Sequence, residues 1–293
     1  MSVSIFATVS PFQGQYFAMK TNLSICVAAG LTVAFLLAGC GSTDGGGTTD
    51  GGGTTEIVVS PPNGFPHPAD VPSPIEQNKA EAGDPVAQFH LALKHDIAGQ
   101  SATAAAWYQK AADSGLAQAQ FNYALMLEKG VAGKQDTPLA VVYYERAAQQ
   151  GLVEARYNFA LMLAEGRGVL EDDQAAATWM KRAADQGYSN AQFQMGYLHK
   201  VGEGVPKDDA EAAKWFLRAA ENLHMDAQYY TGLCYAHGIG VEQDLVQAYK
   251  WLNLAAAASH ASAQRDKEIL TDQMIPEAVA EGQRLSVEFQ AAQ

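Results

Sequence analysis

One spacing constrains this sequence more than any other feature: aromatic residues recur at intervals of 36 residues. The period is marked by Trp107, Tyr143, Trp179, Trp215 and Trp251. An alanine pair begins four residues after each of them, as at Ala183 and Ala184. A fixed period over several copies is typical of repeat proteins, in which each unit buries its apolar face against its neighbours. The chain from residue 76 onwards is therefore predicted to be a solenoid.

The composition indicates that the repeated units are helical. Hydrophobic residues make up 48% of the chain, and much of that share is alanine, which has the highest helix propensity. After residue 80 no stretch shows the sustained alternation that is typical of a strand. The formal net charge of −13 argues against the basic footprint that nucleic-acid binding requires. We therefore expect an all-α protein that binds no nucleic acid and could offer an acidic surface to a basic partner.

Each unit is predicted to contain two helices, called here helix A and helix B. Helix A carries small and larger residues at positions i, i+4 and i+5, as in Ala155, Phe159 and Ala160. These positions lie on one helix face, so the small residues allow a neighbouring helix to approach closely. Helix B repeats Ala-x-x-Trp/Tyr-x-x-x-Ala-Ala, again at helical spacing. The two helices should pack as an antiparallel hairpin.

A glycine loop separates helix A from helix B in most units. It reads Gly-x-Gly-Val in three units, beginning at Gly166, Gly202 and Gly238. The first glycine is predicted to end helix A in a left-handed conformation. An aspartate then precedes helix B, where it can cap free N–H groups and complement the helix dipole. This aspartate column comprises Asp136, Asp172, Asp208 and Asp244.

These features together resemble Sel1-like repeats, which are relatives of the tetratricopeptide repeats. The resemblance covers roughly residues 80–260 and recurs in several units. It implies an α-solenoid of antiparallel helix pairs with a tetratricopeptide-like superhelix, and a role in protein–protein interaction. Residues 76–293 would hold about five repeats plus C-terminal capping helices. Tetratricopeptide repeats proper fit less well, because their period is about 34 residues and their helices lack this loop.

The N-terminal segment resembles the signal peptide of a bacterial lipoprotein. Residues 23–38 form an apolar run that is too short for a confident membrane span and is typical of a signal-peptide core. The run ends in Leu37-Ala38-Gly39-Cys40, which resembles a lipobox. In that family the cysteine is acylated and the chain is cut just before it. The resemblance therefore implies a signal peptide at 1–39, with a more conventional start at Met19, and a lipid anchor at Cys40.

Residues 40–75 are predicted to be a tether between the anchor and the repeats. Glycine and threonine dominate residues 41–56, and prolines follow from Pro61 to Pro74. Several acyl chains at Cys40 would give stable membrane anchoring, which one chain does not. Gly41 follows the cysteine where an aspartate would favour inner-membrane retention. The resemblance thus implies a cell-envelope protein, on the outer membrane facing the periplasm if the host is Gram-negative.

The sequence contains no arrangement that indicates catalysis, a cofactor or a metal. The seven histidines lack metal-ligand spacing, and His199 takes a column otherwise held by leucine and tyrosine. Cys234 takes a column of methionine and leucine, which favours a packed apolar role over a reactive thiol. Some Sel1-like proteins associated with β-lactam binding carry a disulfide in each unit, and this chain lacks those cysteines. We therefore expect a protein that is not an enzyme.

The variable positions of helix A, opposite its small-residue face, form the candidate partner surface. Its predicted members are Asn122, Asn158, Gln194, Tyr197, Tyr230 and His237. Tyr197 and Tyr230 are favoured as anchors, because aromatic residues dominate interface hot spots. The neighbouring leucines, among them Leu125, Leu161 and Leu233, could equally be packed between units.

The leading hypothesis is a lipid-anchored adaptor whose solenoid binds an unidentified protein. The alternative is an envelope enzyme, or a module that binds peptidoglycan or another cell-wall polysaccharide. Binding or turnover of cell-wall fragments by the repeats would distinguish the alternative from the adaptor.

Overall fold

Thirteen α-helices and no strand make up residues 74–131 and 133–293, which are the residues that the computed structural model describes. The helices are α1 Pro74–Glu81, α2 Pro85–Ile97, α3 Ser101–Asp113, α4 Ala117–Lys129, α5 Thr137–Gln149, α6 Val153–Glu165, α7 Asp173–Asp185, α8 Ser189–Val201, α9 Asp209–Glu221, α10 Met225–His237, α11 Leu245–Ala257, α12 Ala261–Thr271 and α13 Pro276–Ala291. The all-α prediction is confirmed. The predicted signal peptide, Cys40 and nearly all of the tether lie outside the described residues.

Helices α2 to α11 form five A–B pairs, and each of these ten helices is 13 residues long. Successive helices from α1 to α12 pack against each other, and α13 returns to pack on α11. Contacts limited to near neighbours are the defining property of a solenoid. The predicted repeat solenoid is therefore confirmed. A search of the described residues finds no helix with the length and apolarity needed to span a membrane.

Alanine columns bring the helices together and aromatic rings fill the remaining space. Ala155 on α6 and Ala184 on α7 are 0% and 1% exposed. Within the same unit the rings of Phe159 and Trp179 meet edge to face, with centroids 5.5 Å apart. Such aromatic pairs contribute stability beyond the area that they bury. The column pattern of the sequence therefore describes the core correctly.

Both predicted helix caps are present. Gly166, Gly202 and Gly238 end helices A with φ values of 61°, 82° and 66°, in the left-handed region. The Asp172 carboxylate accepts a hydrogen bond from the backbone N–H of Ala175 at 2.9 Å. Equivalent side-chain caps are made by Asp136, Asp208 and Asp244. The loop and the aspartate together fix where helix A ends and helix B begins.

The second glycine of the loop has a separate role, which is to allow contact between units. A Cβ atom added at Gly168 would lie 2.8 Å from the carbonyl carbon of Thr137, at the start of α5. Added Cβ atoms at Gly204 and Gly240 would clash with the first backbone carbonyl of α7 and α9, respectively. Each such loop therefore rests on the start of helix B in the preceding unit, and no larger residue fits there.

The last helix covers the end of the array. Pro276 occupies the first turn of α13, where its missing N–H costs nothing. Farther along, the Phe289 ring meets Trp251 of α11 at 5.2 Å, and the buried Ser286 hydroxyl donates to the Lys250 carbonyl at 3.2 Å. These contacts take the place of the unit that would otherwise follow.

Candidate functional site

The structure separates the candidate surface residues into those that join adjacent units and those that stay accessible. Four of them share one column, at equivalent positions of α4, α6, α8 and α10: Asn122, Asn158, Gln194 and Tyr230. Tyr197 lies on α8 and His237 is the last residue of α10.

Asn122 and Asn158 contact the preceding unit. Asn122 hydrogen-bonds the hydroxyl of Tyr108 on α3, and Asn158 hydrogen-bonds that of Tyr144 on α5. Both tyrosines are 0% exposed, and burial raises the pKa of each well above the usual value. A buried hydroxyl without a partner is costly, so each asparagine stabilises a junction between units. Sequence reasoning missed this packing role.

Tyr230 is buried, which corrects the expectation that it is an accessible anchor. Its side chain is 4% exposed. The ring stacks on Phe216 at 5.1 Å and contacts Phe193 at 5.6 Å. Burial, with smaller contributions from Tyr197 and Asp226, raises the pKa of Tyr230 to about 12. Its physical role is therefore to join units four and five through an aromatic cluster.

We call three accessible residues of α8 and α10 the α8–α10 patch: Tyr197, Val201 and His237. Tyr197 is half-buried, Val201 is 39% exposed and His237 is exposed. Tyr197 and Val201 are four residues apart, so their side chains are neighbours on the helix surface. His237 occupies on α10 the position that Val201 occupies on α8. Gln194 is half-buried one turn earlier on α8.

A partly buried ion-pair network lies between units two and three. Glu128 of α4 is 8% exposed, and its carboxylate accepts a hydrogen bond from the Tyr144 hydroxyl at 2.7 Å. Arg167 lies in the glycine loop of unit three, between α6 and α7. It donates a hydrogen bond to the other carboxylate oxygen of Glu128 at 2.5 Å and also pairs with Glu165. Burial alone would lower the pKa of Arg167, but these carboxylates raise it above its usual value. The network therefore holds a charged arginine at the rim of helices A.

Lys200 occupies on α8 the position that Glu128 occupies on α4. Its ammonium group lies 5.1 Å from the centroid of the Tyr230 ring. Burial lowers the pKa of Lys200 to about 8, although Cys234 and Asp209 act in the opposite direction. The other two members of this column, in units three and five, are alanines at 164 and 236. Charge thus varies along helices A while the packing columns stay constant.

A cavity of about 170 Å³ lies between units one and two. It is lined by Ala105, Tyr123, Met126, Leu127, Gly133 and Lys134. Gly133 stands where later units have a loop valine, and the first of these, Val169, packs against the core. The missing valine side chain explains why a depression opens at this junction.

The described residues offer little for metal or nucleophilic chemistry. Within 74–131 and 133–293, no group of three histidine, cysteine or acidic side chains is arranged to hold a metal ion. Cys234 is 7% exposed, and burial raises the pKa of its thiol to about 12. A thiol that stays protonated is a poor nucleophile. The predicted packing role of Cys234 is confirmed. The Nδ1 atom of His199 lies 3.3 Å from the backbone carbonyl oxygen of Pro206.

A scan against protein families matches one model, the Sel1 repeat, five times. The matched residues are 85–116, 117–152, 153–188, 189–222 and 226–260. Together they cover more than half of the chain, and their boundaries follow the A–B pairs of the structure. A comparison with curated proteins gives no significant match.

Solved structures with the same architecture include two from bacteria. A Sel1 repeat protein from Oxalobacter formigenes is 27% identical, with a TM-score of 0.59, and the alignment covers 73% of this chain and 90% of that one. A protective antigen of uropathogenic Escherichia coli strains, described as displaying an SLR fold, is 25% identical with a TM-score of 0.51. That alignment covers 73% of this chain but only 55% of the antigen.

Proposed function

The chain belongs to the Sel1 repeat family, and from this premise we propose that it is a lipid-anchored adaptor that binds a partner protein in the cell envelope. Sel1 repeats commonly serve as protein-interaction modules and are typically scaffolds rather than catalysts. The observation that carries the proposal is the contrast along helices A. Packing columns are nearly invariant from unit to unit, whereas the accessible positions change in size and charge.

The α8–α10 patch is the favoured contact surface. It combines an aromatic ring, an exposed aliphatic side chain and an exposed imidazole on the helices A of two consecutive units. Interfaces are anchored by aromatic residues at the centre of a patch, with polar groups at the rim. Lys200 lies on the same helix between Tyr197 and Val201, and its charge would favour an acidic group on the partner.

The anchor part of the proposal rests on sequence. The apolar run at 23–38 and the Leu-Ala-Gly-Cys sequence that ends at Cys40 resemble a lipoprotein signal, and a glycine- and proline-rich tether follows. Such a tether would let the solenoid search for its partner while it stays membrane-bound. The outer membrane facing the periplasm is the proposed location in a Gram-negative host.

The anchor is tested by Cys40→Ala. We expect the wild-type chain to incorporate labelled palmitate and to stay with membranes after a salt wash, and the variant to lose both properties. Cys26→Ala, which changes the other cysteine of the N-terminal segment, is the matched control and should behave as wild type. Salt-resistant membrane association of the Cys40→Ala chain would overturn the anchor.

The contact surface is tested by crosslinking in cells, followed by affinity capture of the full chain. A Tyr197→Ala/His237→Ala variant should lose at least one crosslinked protein that the wild type enriches. Val142→Ser, at an exposed position on helix B, is the control and should retain it. Equal enrichment by all three chains would remove the patch from the proposal. Retention of cell-wall fragments instead of a protein would favour the cell-wall-binding alternative.

A further inference from the structure

Histidines cap α10, which is the last helix A of the five pairs, and α12, which follows the last pair. The residue before each helix A is Leu116, Leu152 or Tyr188 in units two to four, and none of these side chains accepts a cap hydrogen bond. The same column continues with His224 before α10 and His260 before α12, and both of these side chains do accept one.

His224 caps α10 through a ring nitrogen that must be unprotonated. Its Nδ1 atom accepts a hydrogen bond from the backbone N–H of Ala227 at 3.2 Å. The ring stacks on Phe193 of α8 at 4.6 Å, with an interplanar angle of 16°. A histidine nitrogen can accept a hydrogen bond only when it carries no proton. Protonation would place a second N–H against that of Ala227 and remove the cap.

The neighbouring residue has changed together with the cap. Units one to three end in Gly115, Gly151 and Gly187, whereas Leu223 takes this position before His224 and still adopts a φ of 61°. A leucine in the left-handed region is strained and persists only when surrounding contacts hold it. The earlier turns have glycine at this position, which adopts the left-handed conformation without strain. The turn before α10 therefore depends more strongly on the contacts that His224 makes.

Few charged groups act on the His224 ring. The face toward α8 is the uncharged ring of Phe193, and on α10 the nearby carboxylate is Asp226. From the start of α12, His260 also reaches Asp226, with Nε2 and Oδ1 3.4 Å apart. Burial lowers the pKa of His224, and the charge of Asp226 only partly opposes that effect. Desolvation of the imidazolium is therefore the largest contribution to the lowered pKa of His224.

We propose that His224 is an acid-sensitive cap, which holds the start of α10 when neutral and releases it when protonated. The ring belongs to the contacts that join units four and five, so its release loosens that junction. His260 differs in its surroundings, because the Asp226 carboxylate lies 3.4 Å from its Nε2 atom, whereas the His224 ring is stacked on the uncharged ring of Phe193. The proposal therefore concerns the start of α10.

The sign of the pH dependence follows from the direction of the shift. A base whose folded pKa is lowered favours the fold only while it is neutral. The stabilisation is complete above the unfolded histidine pKa of about 6.5, and it is lost as the pH falls through the lower, folded value. The expected response lies on the acid side of neutrality.

Hydrogen exchange of the full chain in detergent, at pH 7.5 and pH 5.5 and corrected for intrinsic exchange, tests this cap. Protection in the first turn of α10 should fall at least about fivefold at the lower pH, because loss of a cap weakens a helix end by that order. His224→Asn should not show this loss, since an asparagine oxygen caps at either pH. His237→Asn, at the exposed end of the same helix, should respond as wild type.

The proposal fails if the wild type keeps its protection at pH 5.5, or if His224→Asn loses it equally. Circular dichroism at pH 7.5 establishes that each variant is folded. Should His224→Asn fold poorly, His224→Leu provides the same comparison, because leucine is the natural residue of this column at positions 116 and 152. That variant has no group to titrate, so a wild-type acid response in it would also overturn the proposal.

Discussion

At the scale of single residues, the large ring of Phe216 packs where Gly196 has no side chain. Gly196 lies in the middle of α8, where a Cβ atom would come within 2.6 Å of the Phe216 ring. The equivalent positions in units two and three are Ala124 and Ala160, both 0% exposed. Glycine is unfavourable inside a helix, so its presence here reflects the space that Phe216 requires.

Gly196→Ala should therefore destabilise the chain although alanine has the higher helix propensity. The propensity gain is up to about 1 kcal/mol, whereas overpacking a core costs about 1–3 kcal/mol. We expect a net loss of about 1 kcal/mol in the unfolding free energy, measured by urea denaturation. With Phe216→Met already present, the same change should become neutral or stabilising, because unit three has methionine and alanine at the equivalent positions, Met180 and Ala160. A stabilised Gly196→Ala single variant would contradict this packing account.

The same scale shows why the candidate site was only partly predictable. The repeat pattern identifies the residues of helix A that do not pack against helix B of the same unit. It does not identify which of these residues contact helix B of the preceding unit. That depends on the rotation between units, which a period alone does not specify. Asn122 and Tyr230 were accordingly assigned to a surface, although they contact the preceding unit. Tyr197 on α8 and His237 on α10 are more accessible and remain the predicted contacts.

At the scale of elements, helix starts and ends were predictable because local chemistry determines them. The loop glycines and the aspartate column satisfy backbone groups that any helix leaves free at its ends. The contact made by the second loop glycine could not be foreseen, since it depends on the distance to another unit. Glu128 gave a weak signal, because its column is otherwise alanine or lysine, but its partner Arg167 gave none.

The terminal element α13 should act on its neighbours alone. Phe289→Ala removes a ring from the face of Trp251, which should weaken the packing of α13 on α11 by about 2 kcal/mol, less than a fully buried phenylalanine would cost. Hydrogen exchange should increase in α11 to α13, and hardly in α2 to α5. Val287→Ala, at a position 58% exposed on the same helix, is the control. Equal loss of protection in α2 to α5 would show that the array unfolds as a single unit.

At the scale of the whole molecule, the architecture distributes stability and recognition differently. Contacts run between sequence neighbours, so stability is a sum of units and junctions, and local opening can occur within a folded array. Recognition is expected where units differ, and the charge of helices A changes from Glu128 to Lys200 two units later. The fold was therefore predictable from the period, whereas the position of any partner depends on departures from it. The anchor at Cys40 stays a prediction from sequence.

The contact of each glycine loop with the preceding helix B also limits how such a chain can change during evolution. The loop that begins at Gly202 packs against the start of α7, which belongs to the preceding unit. Duplication or loss of a complete 36-residue segment preserves that relation, whereas an insertion of another length would carry the loop away from its support. Gene lineages of this architecture should therefore differ in length by whole units. In the first pair only three residues separate α2 from α3, so this pair has no such loop. No A–B pair precedes it in the part of the chain that the structure describes, so its connection needs no helix B to pack against.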